Sequence, residues 1–463
     1  MKNLIYLLIF TVLSVLSFSC KKPFNYSNKN LSFSTDSLLF DTVFTTIGST
    51  TKRFKIYNTD KTVINIEEME LMGGSNSPFR INIDGTSGLI FKDVELLEGD
   101  SLFAFVEVTL AVNNVLNPLV ISDSIRFKTN GKNQYVNLDV WGQDAYFHVN
   151  ELVSDTEPWL SDKPHVLYGI VAVGHPNTDV GEVTDETLTI PAGTHIYAHK
   201  GARLFVYKST LIINGALDDE VVFEGDRLES FYSDVSGQWR GIHLLQAKNC
   251  VIDYAVIKNA GIGLQVDTTA SNNTLTLKNT IITNNDFYNL FLNSGPIVTV
   301  ENCLFGDAGT ISAFCFAGGD ISFTNCDFVN YWSGSRSGPS LGIKTWYEVN
   351  NTVYERDLKL KVYNSVMYGN VLNEMVIDSL ANSTYVFDVT IENCLYRSEF
   401  ELSYTYIVNS IWNQDPLFVD ASLKDFKLQL GSPLIDAGSS TNFTIQSIDG
   451  VARSNPDIGV YEY

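Results

Sequence analysis

The side chains best suited to chemistry gather in one interval. Between Asn325 and Asn364 the chain reads Tyr331-Trp332-Ser333-Gly334-Ser335-Arg336, then Lys344-Thr345-Trp346-Tyr347-Glu348, then Arg356. Aromatic rings stack on the apolar faces of sugars, and Arg or Lys bonds hydroxyls and carboxylates. Trp332, Arg336, Lys344, Trp346 and Tyr347 are therefore the candidate ligand-binding residues. Arg336 or Lys344 would also serve as the base of a polysaccharide lyase, taking the proton beside a uronate carboxylate whose charge Ca²⁺ neutralises. Outside that reading no cofactor is expected. The competing account makes the interval an extra turn of scaffold, its Trp side chains covering core.

Other constellations are thinner. Glycoside hydrolysis needs two carboxylates at a set separation. The adjacent pair beyond residue 150, Asp218-Asp219, precedes Glu220 in a turn-like segment. His195 and His199 are four apart in a strand-and-turn setting, which does not make the helical two-His zinc face. Asn284-Asn285-Asp286 is one oxygen cluster, too common to identify a Ca²⁺ site. No metal site is expected.

The elements that hold these residues show a repeat. Asn249-Cys250, Asn279-Thr280, Asn302-Cys303, Asn325-Cys326, Asn364-Ser365, Asn393-Cys394 and Asn409-Ser410 each open a four-residue unit that ends on a large apolar residue. Successive Asn are 30, 23, 23, 39, 29 and 16 residues apart. Short strands at such a period are the mark of a solenoid, where each coil buries its face against its neighbours. Residues two apart share a strand face, so the small and the large residue of each unit both point inward. The Cys positions alternate with Thr and Ser, which reads as a small buried slot rather than a redox or metal site. The Asn column suits left-handed corners, its amides bonding the next coil. Both columns are expected to be scaffold.

Residues 31–146 differ. Arg53 to Tyr57, Val63 to Ile66, Leu102 to Val108 and Ser124 to Lys128 alternate with period two, and Asn130-Gly131 marks a hairpin. The pattern predicts an antiparallel immunoglobulin-like sandwich without a disulfide, since no Cys falls there.

The amino terminus and the charge set the compartment. Lys2 precedes an apolar run from Leu4 to Phe18, too short to span a membrane and suited to a signal peptide over 1–19. Ser17-Phe18-Ser19-Cys20 resembles a bacterial lipobox, with Leu16 one place earlier than the usual Leu, and implies lipidation of Cys20 and a tether over 20–30. The resemblance implies an outer-membrane lipid anchor, with either face of that membrane open. Acidic residues outnumber basic ones 53 to 31, for a net charge of −22, which excludes nucleic acid as a partner.

Gly237-Gln238-Trp239-Arg240-Gly241-Ile242, Gly261-Ile262-Gly263-Leu264 and the Asn-Cys units resemble the right-handed parallel β-helix of the pectin-lyase-like superfamily. With the tail Gly431-Ser432-Pro433-Leu434-Ile435-Asp436-Ala437-Gly438, Asp449-Gly450, Arg453 and Pro456-Asp457-Ile458-Gly459, the mature chain is similar to Bacteroidetes lipoproteins that join an immunoglobulin-like module to a β-helix. That resemblance implies a β-helix over 150–463, with the tail closing it. The Gly-His-Gly and Arg-Ile-Lys elements of polygalacturonase-like enzymes are missing. Three readings follow: non-catalytic binding of a glycan or an envelope partner, which the charge favours; a polysaccharide lyase or glycoside hydrolase; and a structural spacer or adhesin.

Overall fold

The structure, a computed structural model, describes residues 26–44, 48–111, 119–153, 158–176, 181–268 and 274–463. Cys20 and the signal segment lie outside the described residues. The chain divides into two compact units, Met1–Asp144 and Ala145–Tyr463.

The first unit is a sandwich of two five-stranded sheets. Its strands alternate as the sequence implies: in Lys52–Tyr57, Phe54 and Ile56 are buried and Arg53 is exposed. Phe40, Phe54, Phe79 and Phe127 fill the space between the sheets. Asn130 and Gly131 both adopt positive φ, 51° and 68°, the backbone that a two-residue hairpin requires between Leu119–Thr129 and Lys132–Gln143. One pairing departs from the antiparallel expectation, because Ser37–Phe44 runs parallel to Lys132–Gln143.

The second unit is a parallel β-helix of three sheets. Among the described residues, sheet 1 has eleven strands, from Tyr146–Val149 to Ile411–Trp412. Sheet 2 has nine, from Leu152–Val153 to Met375–Asp378, and sheet 3 has nine, from Thr187–Pro191 to Ile407–Val408. Between Thr187–Pro191 and Met375–Asp378 the coils visit sheet 3, then sheet 1, then sheet 2. The helix begins earlier than the expected residue 150, since Tyr146–Val149 already pairs with His165–Tyr168 in sheet 1. Inward columns run unbroken along the axis; in sheet 2, Val266, Leu292, Cys315 and Ile343 stack in register.

The Asn column occupies the corner between sheets 3 and 1. Asn279, Asn302, Asn325, Asn364, Asn393 and Asn409 all take left-handed φ between 45° and 60°. Asn249 and Cys250 do not belong to it. Asn249 sits at the corner between sheets 2 and 3, and Cys250 opens the sheet-3 strand Cys250–Asp253, in register with Leu275. The matching corner in that coil is Tyr254-Ala255, with Tyr254 at φ 47°. Cys250, Cys303, Cys315, Cys326 and Cys394 are free and buried. Burial pushes the Cys250 thiol up to about 11 and those of Cys315 and Cys394 to about 12, so all three are held as inert thiols.

The amides follow two patterns. Asn279 Nδ2 donates to Asp253 Oδ1 (2.8 Å) and Asn302 Nδ2 to Asn279 Oδ1 (2.7 Å), coil to coil. Further along, the amides leave the coils for the C-terminal tail. Asn325 Nδ2 donates to the Gly459 carbonyl (3.1 Å), Asn364 to that of Asn442 (3.0 Å) and Asn393 to that of Ala437 (2.9 Å). The tail therefore does not close the end of the helix, as the resemblance implied; it lies along its side. Phe418, Phe426, Leu434, Ile458 and Val460 pack on Leu304, Val329, Val366 and Leu395, the outward residues of sheet 1. Arg453, with a fully buried side chain, pairs with Glu462 at 2.8 Å and donates to the Gly459 and Val460 carbonyls. At the end of the core lie Leu402 and Tyr406 instead.

Candidate functional site

The strand Leu341–Lys344 of sheet 2 separates the five candidate residues. Trp332 and Arg336 precede it; Lys344 ends it; Trp346 and Tyr347 follow. Trp332 packs over Gly309, its ring 3.5 Å from where a side chain there would begin. Arg336 is not available to a ligand. Its side chain is 1% exposed and forked onto Glu374, which is 0% exposed. The two bonds measure 2.6 and 3.0 Å, and further ones run to the Gly338 and Asn330 carbonyls and to Asn370 Oδ1. Arg336 pins a corner of the coil, and a permanently paired guanidinium cannot abstract a proton.

Lys344, Trp346 and Tyr347 do come together at the outer face of sheet 2. Lys344 Nζ lies 2.9 Å from Asp378 Oδ2 and 3.9 Å from the centre of the Trp346 ring. Trp346 Nε1 donates to Asp378 Oδ1 at 2.9 Å. These contacts place Lys344 as a cation beside a ring. Tyr347 stacks on Tyr354 across the hairpin Trp346–Val349/Thr352–Glu355, at 5.2 Å. A cleft of about 530 Å³ opens here, bordered by Tyr347, Tyr354, Arg356, Lys359 and Tyr385.

From this corner a row of rings runs back along sheet 2. Phe316 lies 5.8 Å from Tyr347 and 5.4 Å from Phe314. Phe314 is 5.8 Å from Phe291, itself 5.0 Å from Tyr288. All are partly exposed: Phe291, Phe314 and Phe316 on the outward phase of strands whose other phase fills the core, Tyr288 at the start of its strand and Tyr347 on the hairpin that follows sheet 2. The register continues the row into polar groups: Phe291 pairs with Gln265, and Phe316 with Asn293, which pairs with Asp267.

Those polar groups form a connected set. Asn293 Nδ2 donates to Asp267 Oδ1 (2.9 Å) and Gln265 Nε2 to Asp267 Oδ2 (2.8 Å). His243 Nε2 meets Asp267 Oδ2 at 2.7 Å, and Arg203 Nη1 meets His243 Nδ1 at 3.3 Å. An Arg N–H only donates, so His243 Nδ1 accepts and Nε2 carries the proton toward Asp267. Burial acts to raise the Asp267 pKa, but the hydrogen bonds from His243 and Asn293 outweigh it and hold the carboxyl below its usual range.

Trp239, Asn284 and Asn285 are scaffold. Trp239 is 2% exposed and donates to the Lys258 carbonyl. Asn284 donates to Asn259 Oδ1, and Asn285 Oδ1 accepts from Ala260 N–H, a second buried polar column between sheets 1 and 2. Among the described residues no cluster of His, Cys, Asp and Glu is arranged to hold a metal ion.

The aromatic row escaped the sequence reading, although a signal existed. The strand Ile-Ser-Ala-Phe-Cys-Phe (311–316) is apolar on both phases, with Ile311, Ala313 and Cys315 on one and Phe314 and Phe316 on the other. A strand with only one buried face should not be.

No family model matches the chain, and no curated protein matches it. Among solved structures it is similar to the catalytic unit of a GH87 α-1,3-glucanase from Streptomyces thermodiastaticus, with 12% identity and a TM-score of 0.32 over 78% of this chain and 68% of that one. A family 123 glycoside hydrolase from Clostridium perfringens gives 8% identity and a TM-score of 0.18 over 26% of this chain, which spans 31% of that enzyme. The PapD-like domain 7 of human CEP192 gives 13% identity and a TM-score of 0.17 over 27% of this chain and 91% of that domain. These likenesses carry nothing about chemistry.

Proposed function

We propose that the protein is a lipid-anchored outer-membrane β-helix that binds glycan, without catalysis, on the outer face of sheet 2. The observation that supports this reading is the row Tyr288, Phe291, Phe314, Phe316 and Tyr347, five partly exposed rings in contact, four on sheet 2 and one on the adjoining hairpin. Flat stacked rings accept the apolar faces of successive sugars, and the flanking Gln265, Asn293, Trp346 and Lys344 supply hydrogen bonds at either end. Rigid strands keep the ordering penalty of binding low.

The carboxylates favour binding over hydrolysis. Asp267 and Asp378 share one outward column but are four strand steps apart, about 19 Å at ~4.8 Å per step. Glycosidase pairs sit about 5–9.5 Å apart. Each is also held by its own partners, Asp267 by His243 and Asp378 by Lys344.

Calorimetric titration with neutral oligosaccharides tests the proposal. Phe291→Ala combined with Phe314→Ala should weaken the bound glycan at least tenfold, taking about 1 kcal/mol per ring. Unchanged affinity in that double variant would remove the sheet-2 face from consideration.

A further inference from the structure

The two outer faces of the sandwich treat their cations differently. On the sheet containing Ile64–Leu71 and Leu119–Thr129, Arg126, Lys128 and Lys92 are each matched by a carboxylate. Arg126 pairs with Glu68 at 2.6 Å and with Glu70, Lys128 with Glu67 at 3.1 Å, and Lys92 with Glu68 at 3.6 Å. On the opposite sheet, Arg53, Lys55 and Arg80 have no carboxylate within 4 Å among the described residues. The two strands that present them, Lys52–Tyr57 and Phe79–Ile83, and Ser101–Val108 between them carry one acidic residue, Glu107, whose Oε1 accepts from Thr51 Oγ1 at 2.8 Å.

These cations surround two rings on the strand between them. Arg53 is in register with Phe105 and Lys55 with Phe103, while Phe105 faces Asn82 on the other side. Phe103 and Phe105 stack at 5.9 Å. The Lys55 ammonium lies 4.7 Å, and the Arg53 guanidinium 5.5 Å, from the centre of the Phe103 ring. Beside Phe105 runs a groove of about 430 Å³, bordered by Arg80, Asn82, Ser87, Leu89 and Glu107, the last in register with Arg80. In a chain of net charge −22, three unmatched cations around an aromatic pair are a local reversal of sign.

We propose that this face of the sandwich binds an acidic oligosaccharide, one carrying carboxylate or sulfate groups. The phenyl rings offer a platform for the sugar's apolar face, and the guanidiniums offer forked donors to its acid groups. Nucleic acid fits poorly, because the field of the whole chain opposes a long polyanion. A membrane surface fits poorly too, because Phe103 and Phe105 are half-buried in the middle of a strand rather than carried on a projecting loop. The site is separate from the sheet-2 face and does not depend on the function proposed for it.

The experiment uses the full chain and four probes: a galacturonate oligosaccharide, a dextran sulfate oligosaccharide, uncharged dextran and polyglutamate. Binding of the first or the second is expected, each arm reporting which acid group is preferred. Arg53→Ser/Lys55→Ser/Arg80→Ser should lose at least tenfold in affinity, and the slope of log K against log salt should shrink by about two for three lost contacts. Arg53→Lys/Arg80→Lys should keep much of the binding, which separates charge from folding. Lys92→Ser on the opposite sheet should change nothing. The proposal fails if neither acidic oligosaccharide binds, if the triple variant binds as well as the parent, or if polyglutamate binds equally.

Discussion

Arg336 and Glu374 show how far residue type is from residue role. Arg and Trp within a few positions suggested a ligand groove, yet the guanidinium is sealed against Glu374, Gly338 and Asn330. Local sequence carries no mark of this, because Glu374 is 38 residues away. Removing one partner of a buried pair strands the other charge, so Glu374→Ala should lower stability by about 3–5 kcal/mol in urea denaturation. Arg336→Lys should also destabilise, since an ammonium cannot reproduce the fork. Parent-like stability in both variants would contradict the role assigned here. The opposite omission concerns Phe291 and Phe314, whose exposure is not marked in the sequence because a period of two does not say which phase faces out. Asn249-Cys250 was misassigned for a related reason: it matches the motif by type while sitting at another corner, which only the register Cys250–Leu275 reveals.

At the scale of elements, the coils were legible and the tail's position was not. The recurring Asn followed by a small residue is a local pattern, and it marks the corner between sheets 3 and 1 in six coils. The seat of the tail depends on contacts such as Asn325 to Gly459, 134 residues apart, about which neither segment says anything alone. Because coils of a solenoid lean only on their neighbours, loss of the tail should be felt locally. In a chain ending at Leu430, amide exchange should quicken in Asp327–Asn330 and Val366–Gly369, which the tail covers. It should stay as in the parent in Arg203–Tyr207 and Gly241–Leu245. Equal quickening everywhere would mean that the coils fold as one cooperative block.

For the whole molecule, two buried groups give stability opposite slopes with pH. Burial, partly offset by the Val460 N–H and the Arg453 charge, raises Asp327 to about 7. A free Asp titrates near 4, so between about pH 4 and 7 the folded chain keeps a proton that the unfolded chain releases. Stability from this site is therefore lost as pH rises through that window. Burial lowers His165 to about 4, so the unfolded chain gains the extra proton between about pH 6.5 and 4, and stability falls as pH drops. Asp327→Asn, which can still accept from Val460, should raise the melting temperature relative to the parent by a margin that grows from about pH 4 to 7 and then levels off. Identical pH profiles for the two proteins would assign that decline elsewhere.

Solenoids usually gain and lose repeats with little penalty, since a new coil simply joins the stack. Here that freedom is uneven. The tail meets Asn393, Asn364 and Asn325 through Ala437, Asn442 and Gly459, and Arg453 Nη2 reaches Asn302 Oδ1. It thus measures the stack like a ruler with fixed marks. Duplicating a coil between Asn302 and Asn393 would move every mark beyond it by one strand spacing, while duplicating one before Asn279 would move none. The number of coils is set by the far end of the chain in one half of the helix and left open in the other.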